Sequence, residues 1–203
     1  MVRGDWAGTD TYARELIALG DQSDEPWWGR DGETILAQWD PLERRPEAAV
    51  ARLEPVLLGT NISFYERSQT QPILAEAYTA MGRGADAEEL LARFMSSAQS
   101  SPDAMYLLAR HAQAKLLIHS QRWDEAQAIL DNLLVLTRSM PEPLTEGNLL
   151  HDYARMHLAR GEQSQARERW EASPGDFSPA GREALHPTHR GVARAIIVST
   201  PPS

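Results

Sequence analysis

The stretch Ala75-Glu76-Ala77-Tyr78, running on through Gly82 to Ala87 and Leu91, decides the fold, because the chain writes it three times. The second copy runs from Ala114 to Gln121, then Trp123 and Ala126 to Leu130; the third runs from Ala154 to Gly161, then Ala166 to Trp170. Aligned on Ala87, Ala126 and Ala166, the copies recur after 39 (126 − 87) and 40 (166 − 126) residues. Each is a small-residue helix, a tight polar turn, and a second helix entered through an alanine. One such hairpin cannot bury its apolar face alone, so a period in this range predicts an all-α solenoid of stacked antiparallel hairpins, capped at both ends.

The pattern extends outward in both directions. Serine at a helix N-terminus and proline at the first helical position are favoured, so Ser101-Pro102-Asp103 opens a helix expected to reach about Ser120. After Gln121-Arg122, the residues Trp123, Ala126, Ile129, Leu130, Leu133 and Leu134 trace one helical face that should be core. Pro141 and Pro143 end that hairpin near Arg138. The next runs from about Thr145 to Gly161 and from Gln163 to Ala172. Upstream, one runs from about Pro72 to Met81 and Asp86 to Ala98, and another is built on Ile35, Leu36 and Trp39 followed by Ala48, Ala49, Leu53, Val56 and Leu57. Before them lie a capped helix, Thr9-Asp10 to Gly20, and a polar loop over 21–26. After them, Pro174, Gly175 and Pro187 break the chain, and Val192, Ala193, Ile196 and Ile197 predict a short closing helix over 188–199. The expected organisation is an N-terminal capping helix with an acidic Trp-containing loop (1–29), about four hairpins (30–173), and a C-terminal cap with a frayed tail (174–203).

Composition narrows the function classes. The 203 residues include no cysteine, which excludes disulfides, thiolate metal sites and cysteine nucleophiles, and makes the cytoplasm the default compartment. The start of the chain lacks the apolar core of a signal peptide, and runs such as Leu133 to Leu136 are too short to span a bilayer. A formal net charge of −9 argues against direct nucleic-acid or anionic-membrane binding, which needs clustered positive charge. The charge is uneven: residues 1–47 hold eleven acids against five arginines, whereas 148–203 hold six against seven.

Ala75, Tyr78, Gly82, Ala87 and Leu91 match, in order, the positions that define tetratricopeptide repeats, and Ser120-Gln121-Arg122-Trp123-Asp124-Glu125-Ala126 resembles the family's turn. The period departs from the usual 34, and this longer variety is similar to the repeat regions of MalT-like bacterial regulators and signalling ATPases, as the segment from Arg45 to Leu58 illustrates. The resemblance implies a right-handed superhelix that binds a partner segment in its concave groove, working as a non-enzymatic adaptor. The alternative is a ligand- or peptide-sensing domain acting with a separate effector chain. No Walker phosphate loop and no evident DNA-reading helix-turn-helix accompany it.

The family register lines the concave lane with the fifth and ninth residues of each first helix, which here are Pro72 and Glu76, His111 and Lys115, and His151 and Arg155. Two successive histidine-plus-cation pairs suit an acidic peptide or an anionic ligand, although such residues also serve as ordinary solvated positions. His119 either joins that patch or simply favours its helix C-terminus. His151 and His157 are six apart and point to different faces, and His186 and His189 have no acid at ligand spacing, so no metal and no cofactor are expected. The serines sit in caps and loops without a nucleophile elbow, so no catalytic residue is expected. Trp27-Trp28 is a second docking candidate, the competing role being to cover the open end of the stack.

Overall fold

A computed structural model of the chain describes residues 6–40, 45–97, 104–139 and 143–173. Among the described residues the protein is all-α, with nine helices and no strand: α1 (Trp6–Gln22), α2 (Trp27–Trp39), α3 (Pro46–Leu58), α4 (Phe64–Ala80), α5 (Gly84–Ser97), α6 (Ala104–His119), α7 (Trp123–Arg138), α8 (Pro143–Ala159) and α9 (Gln163–Glu171). The expected cap at 101–103, the expected closing helix over 188–199 and the rest of the segment 174–203 lie outside the described residues. The chain divides into two compact units, residues 1–116 and 117–203, with the division inside α6.

In the first unit, consecutive helices pack as neighbours, α1 on α2, α2 on α3, α3 on α4 and α4 on α5, with a further contact of α2 on α4. The core joins Ala37 of α2, Ala49, Val50 and Leu53 of α3, Ile73, Leu74, Ala75 and Ala77 of α4, Ala87, Leu90, Leu91 and Phe94 of α5, and Ala109, Ala112 and Leu116 of α6. The small residues that mark the repeat, Ala75, Ala77 and Ala87, are almost completely buried, which is where two helices need to approach closely. In the second unit α7 packs on α8 and α8 on α9. The expected face of α7 is buried at Ala126, Ile129, Leu130, Leu133 and Leu134, with Trp123 half-buried at its start.

The same turn follows three of the helices, α4, α6 and α8. Gly82, Gln121 and Gly161 have φ of +75°, +59° and +79°. In each case the next residue donates its amide five residues back, Arg83 to the Tyr78 carbonyl (2.8 Å), Arg122 to Leu117 (2.9 Å) and Glu162 to His157 (2.8 Å), while the left-handed residue itself donates three back. This pair of bonds is a Schellman cap, which satisfies the last carbonyls of a helix and reverses the chain in two residues. The turns recur after 39 (121 − 82) and 40 (161 − 121) residues, the period read from the alanines.

Helix α4 begins earlier than expected. Its N-terminus is Ser63, whose Oγ accepts the Glu66 amide (3.1 Å) while the Glu66 carboxylate accepts the Ser63 amide (2.8 Å), a capping box. Pro72 therefore lies inside the helix and buried, not at its start. An interior proline costs about 3 kcal/mol; the capping box and the burial of Ser68, Thr70, Ile73 and Leu74 around it offset that cost. Trp27 and Trp28 likewise belong to the first turn of α2, leaving 23–26 as the connection from α1.

Candidate functional site

The proposed lane residues fall in both units. In the first, Glu76 on α4 and Lys115 on α6 occupy equivalent repeat positions, 39 residues apart (115 − 76), and meet at 2.9 Å, with about a quarter of each side chain exposed. The Lys115 charge thus already has a carboxylate beside it. Two further pairs join α2 to α4 at a spacing of 36: Arg30 Nε donates to Glu66 Oε1 (2.5 Å), and the hydroxyls of Thr34 and Thr70 lie 3.4 Å apart. α2 and α4, and α4 and α6, are therefore joined by side-chain contacts within this unit. His111 is buried, in keeping with a packing role. Pro72 is likewise enclosed. His119 is exposed in the last turn of α6, where a cation is favoured by the helix dipole.

In the second unit, His151 is buried with its ring 5.7 Å from that of Trp170 and its Nδ1 3.6 Å from Asp152 Oδ1. Asp152 is itself buried and accepts from Arg155 Nη1 (3.3 Å), whose side chain is half exposed. Arg155 reaches solvent while anchored at its base. Nearby, the Tyr153 hydroxyl donates to the Asp131 carboxylate, with the Gln127 carbonyl as a second acceptor at 3.2 Å, and Arg169 lies over its ring at 4.6 Å. Burial first, and the Asp131 carboxylate second, push the Tyr153 phenol well above its ordinary range. His157 meets Glu162 across the third turn (Nδ1 to Oε2, 2.7 Å), and that histidine, with Arg160, holds the Glu162 carboxyl below the usual carboxylate range.

Trp27 is 40 % exposed, yet it is held in place. Its indole N–H donates to Glu25 Oε2 (3.1 Å) and its ring stacks on Trp28 with centroids 3.8 Å apart. On the same unit, an open depression of about 540 Å³ lies between α2 and α3, lined by Arg30, Glu33, Ala48, Ala51, Arg52, Pro55 and Val56. Arg52 spans it, binding Glu33 (2.6 Å) and the buried Asp40 (3.0 Å), which also meets Arg45 (3.1 Å). Sequence reasoning missed this feature; the signal was the spacing of Ala48, Ala51 and Pro55, a second small-residue face on α3 turned away from Ala49 and Leu53.

Among the described residues no group of three or more His, Cys, Asp or Glu is arranged to hold a metal ion, and no helix is long and apolar enough to cross a membrane. Comparison of the chain with family models, with curated proteins and with solved structures found no match.

Proposed function

We propose that this chain is a non-enzymatic scaffold built as a right-handed solenoid of tetratricopeptide-like hairpins, whose first helices present a surface to a segment of a partner protein. The observation that carries the reading is the repeated Schellman turn at Gly82, Gln121 and Gly161, which returns the chain in the same way every 39 or 40 residues. It is supported by the Arg30 to Glu66, Thr34 to Thr70 and Glu76 to Lys115 pairs, which join alternate helices, α2 to α4 and α4 to α6, as a stack of hairpins requires of its first helices. The proposed contacts in the first unit are Lys115 and Glu76 with His111 behind them; His151 and Arg155 are the corresponding contacts in the second. In the first unit an acidic segment would take over the lysine by displacing Glu76; in the second, one would meet the exposed end of Arg155 without breaking its bond to Asp152.

The test is capture of partners from the native host on the parent chain and on the single variants Lys115→Glu and Arg155→Glu, at low and at high salt. The expected result is one stoichiometric partner, weakened by each variant and by salt, with helical circular dichroism unchanged. A partner held equally well by the parent and both variants overturns the assignment of these positions.

A further inference from the structure

The depression between α2 and α3 has the make-up of a small-molecule site. Arg30 and Glu33, one helical turn apart, line it from α2; Ala48, Ala51, Arg52 and Pro55, which share a face at helical spacing, line it from α3. Its volume of about 540 Å³ falls in the ordinary range for ligand pockets, and it combines an apolar surface with a few polar groups. Both arginines are already fixed, Arg30 by Glu66 and Arg52 by Glu33 and the buried Asp40, so a ligand orders little on binding them.

Donors and an acceptor are left over there. A guanidinium carries five N–H groups. Arg30 gives its Nε–H to Glu66, and Arg52 gives its Nε–H to Asp40 and one Nη1–H to Glu33; their other N–H groups have no acceptor among the described residues. The acceptor comes from the backbone. Pro55 lies inside α3 and has no N–H, so the Ala51 carbonyl, four residues back, lacks the donor that a helix ordinarily supplies. Ala51 and Pro55 are both exposed and both line the depression, so this carbonyl lies between two of its lining residues. The charges are balanced: besides the pairs above, Arg45 meets Asp40, and the Arg14–Asp10 pair of α1 lies within electrostatic reach of Arg52. Beside Arg30, burial and the Glu66 charge push the Asp31 carboxyl up, toward its neutral form. A simple anion therefore meets no surplus positive charge, and a simple cation meets carboxylates already engaged. A zwitterion needs neither. Arg30 and Glu33 rise from positions about 5 to 6 Å apart, a spacing that suits opposite charges joined through a single carbon. The termini of a peptide are held farther apart, by about 3.3 to 3.6 Å for each extended residue.

We propose that the depression between α2 and α3 binds a free α-amino acid with an aliphatic side chain. The ligand's carboxylate accepts from the remaining N–H groups of Arg30 and Arg52, its ammonium donates to Glu33 and to the Ala51 carbonyl, and its side chain covers Ala48 and the Pro55 ring. The site shares no residue with the lane of Glu76, Lys115, His151 and Arg155, so the two readings stand or fall separately.

The test titrates the whole chain with leucine, with isocaproate, which lacks the ammonium, with isoamylamine, which lacks the carboxylate, and with trileucine. Binding is followed by calorimetry and by the rise in melting temperature. The expected result is saturable binding of leucine, with each of the other three at least tenfold weaker. Ala51→Leu fills the depression from an exposed position and should abolish binding with unchanged circular dichroism; Glu33→Gln should weaken it at least tenfold. Pro55→Ala returns the missing N–H to the Ala51 carbonyl, so it should weaken leucine at least threefold while the helix content does not fall. Lys115→Glu leaves binding unaltered. No binding of leucine up to about 10 mM overturns the proposal. So does isocaproate, isoamylamine or trileucine binding as tightly as leucine, since the ligand is then a simple anion, a simple cation or a peptide. Unchanged affinity in Ala51→Leu overturns it too, by placing the leucine elsewhere.

Discussion

At the scale of single residues, the three Schellman turns ask the same conformation of unequal side chains. Gly82 and Gly161 adopt positive φ without a Cβ to clash, whereas Gln121 adopts it with one, at a cost on the order of 1 to 2 kcal/mol. Nothing lies within 4 Å of where a Cβ would stand on Gly82, so the penalty there is purely backbone strain. Gly82→Ala should therefore destabilise the protein by about 1 kcal/mol. Gln121→Gly should stabilise it by about 0.5 to 1 kcal/mol, because relief of strain exceeds the extra freedom that glycine gains in the unfolded chain. Both are read from the midpoint of urea unfolding. A Gln121→Gly variant less stable than the parent would show that the glutamine side chain contributes something the turn geometry does not reveal.

At the scale of elements, the glycines of α2 separate local propensity from packing. Gly29 has open space around its missing Cβ, with only the Gly20 Cα at 3.9 Å, so Gly29→Ala should gain up to about 1 kcal/mol of helix propensity. Gly32 has the Ala13 carbonyl oxygen at 2.5 Å and the Ile17 Cγ1 at 2.8 Å, so Gly32→Ala must push α1 away and should cost about 1 to 3 kcal/mol despite the same gain. Opposite signs for two identical substitutions three residues apart are the expected outcome in thermal unfolding; equal signs would mean that α1 is not held this closely. This contact also marks where the sequence stopped being legible. Small residues at the repeat positions announced the helices, since their spacing is periodic, but Gly20, Gly29 and Gly32 belong to no repeat and nothing in their spacing announced a close contact. The same reasoning placed the start of α4 at Pro72, because proline is the stronger local signal, when Ser63-x-x-Glu66 had already capped the helix. At the lane positions, the spacing identified Glu76 and Lys115 as equivalent. It gave no sign that they bond to each other, which depends on first helices lying in contact.

At the scale of the whole molecule, the acid response follows from carboxylates that the fold holds charged in both units. Burial alone would raise Glu66, but hydrogen bonds from Arg30 and from the Ser63 side chain and backbone outweigh it and leave the group below its ordinary value. Glu162 is lowered first by its hydrogen bond with His157, which outweighs the opposing effect of burial, and Arg160 adds to the lowering. A carboxyl whose folded value lies below its unfolded value stabilises the fold fully above the unfolded value, about 4.3, and loses that contribution as pH falls through the folded one. Asp31 works the other way: burial, then the nearby Glu66 charge, raises it, so its ionised form opposes folding at neutral pH and protonation relieves it. The lowered groups span both units, and protonating the acids also removes the partners of Arg30 and Arg160. Stability should therefore be flat from about pH 6 to 8 and fall steeply below about pH 4. Glu66→Gln removes one of these groups together with its charge-assisted bond to Arg30 and its place in the capping box, at a cost of about 1 to 3 kcal/mol at pH 7. Because Glu66 in the parent itself becomes neutral in acid, the difference between parent and variant should close as pH drops from 5 to 3. Melting temperatures of the two proteins measured across that range decide the matter: parallel curves, with the gap unchanged at pH 3, would show that Glu66 stabilises the fold through its shape and not through its charge.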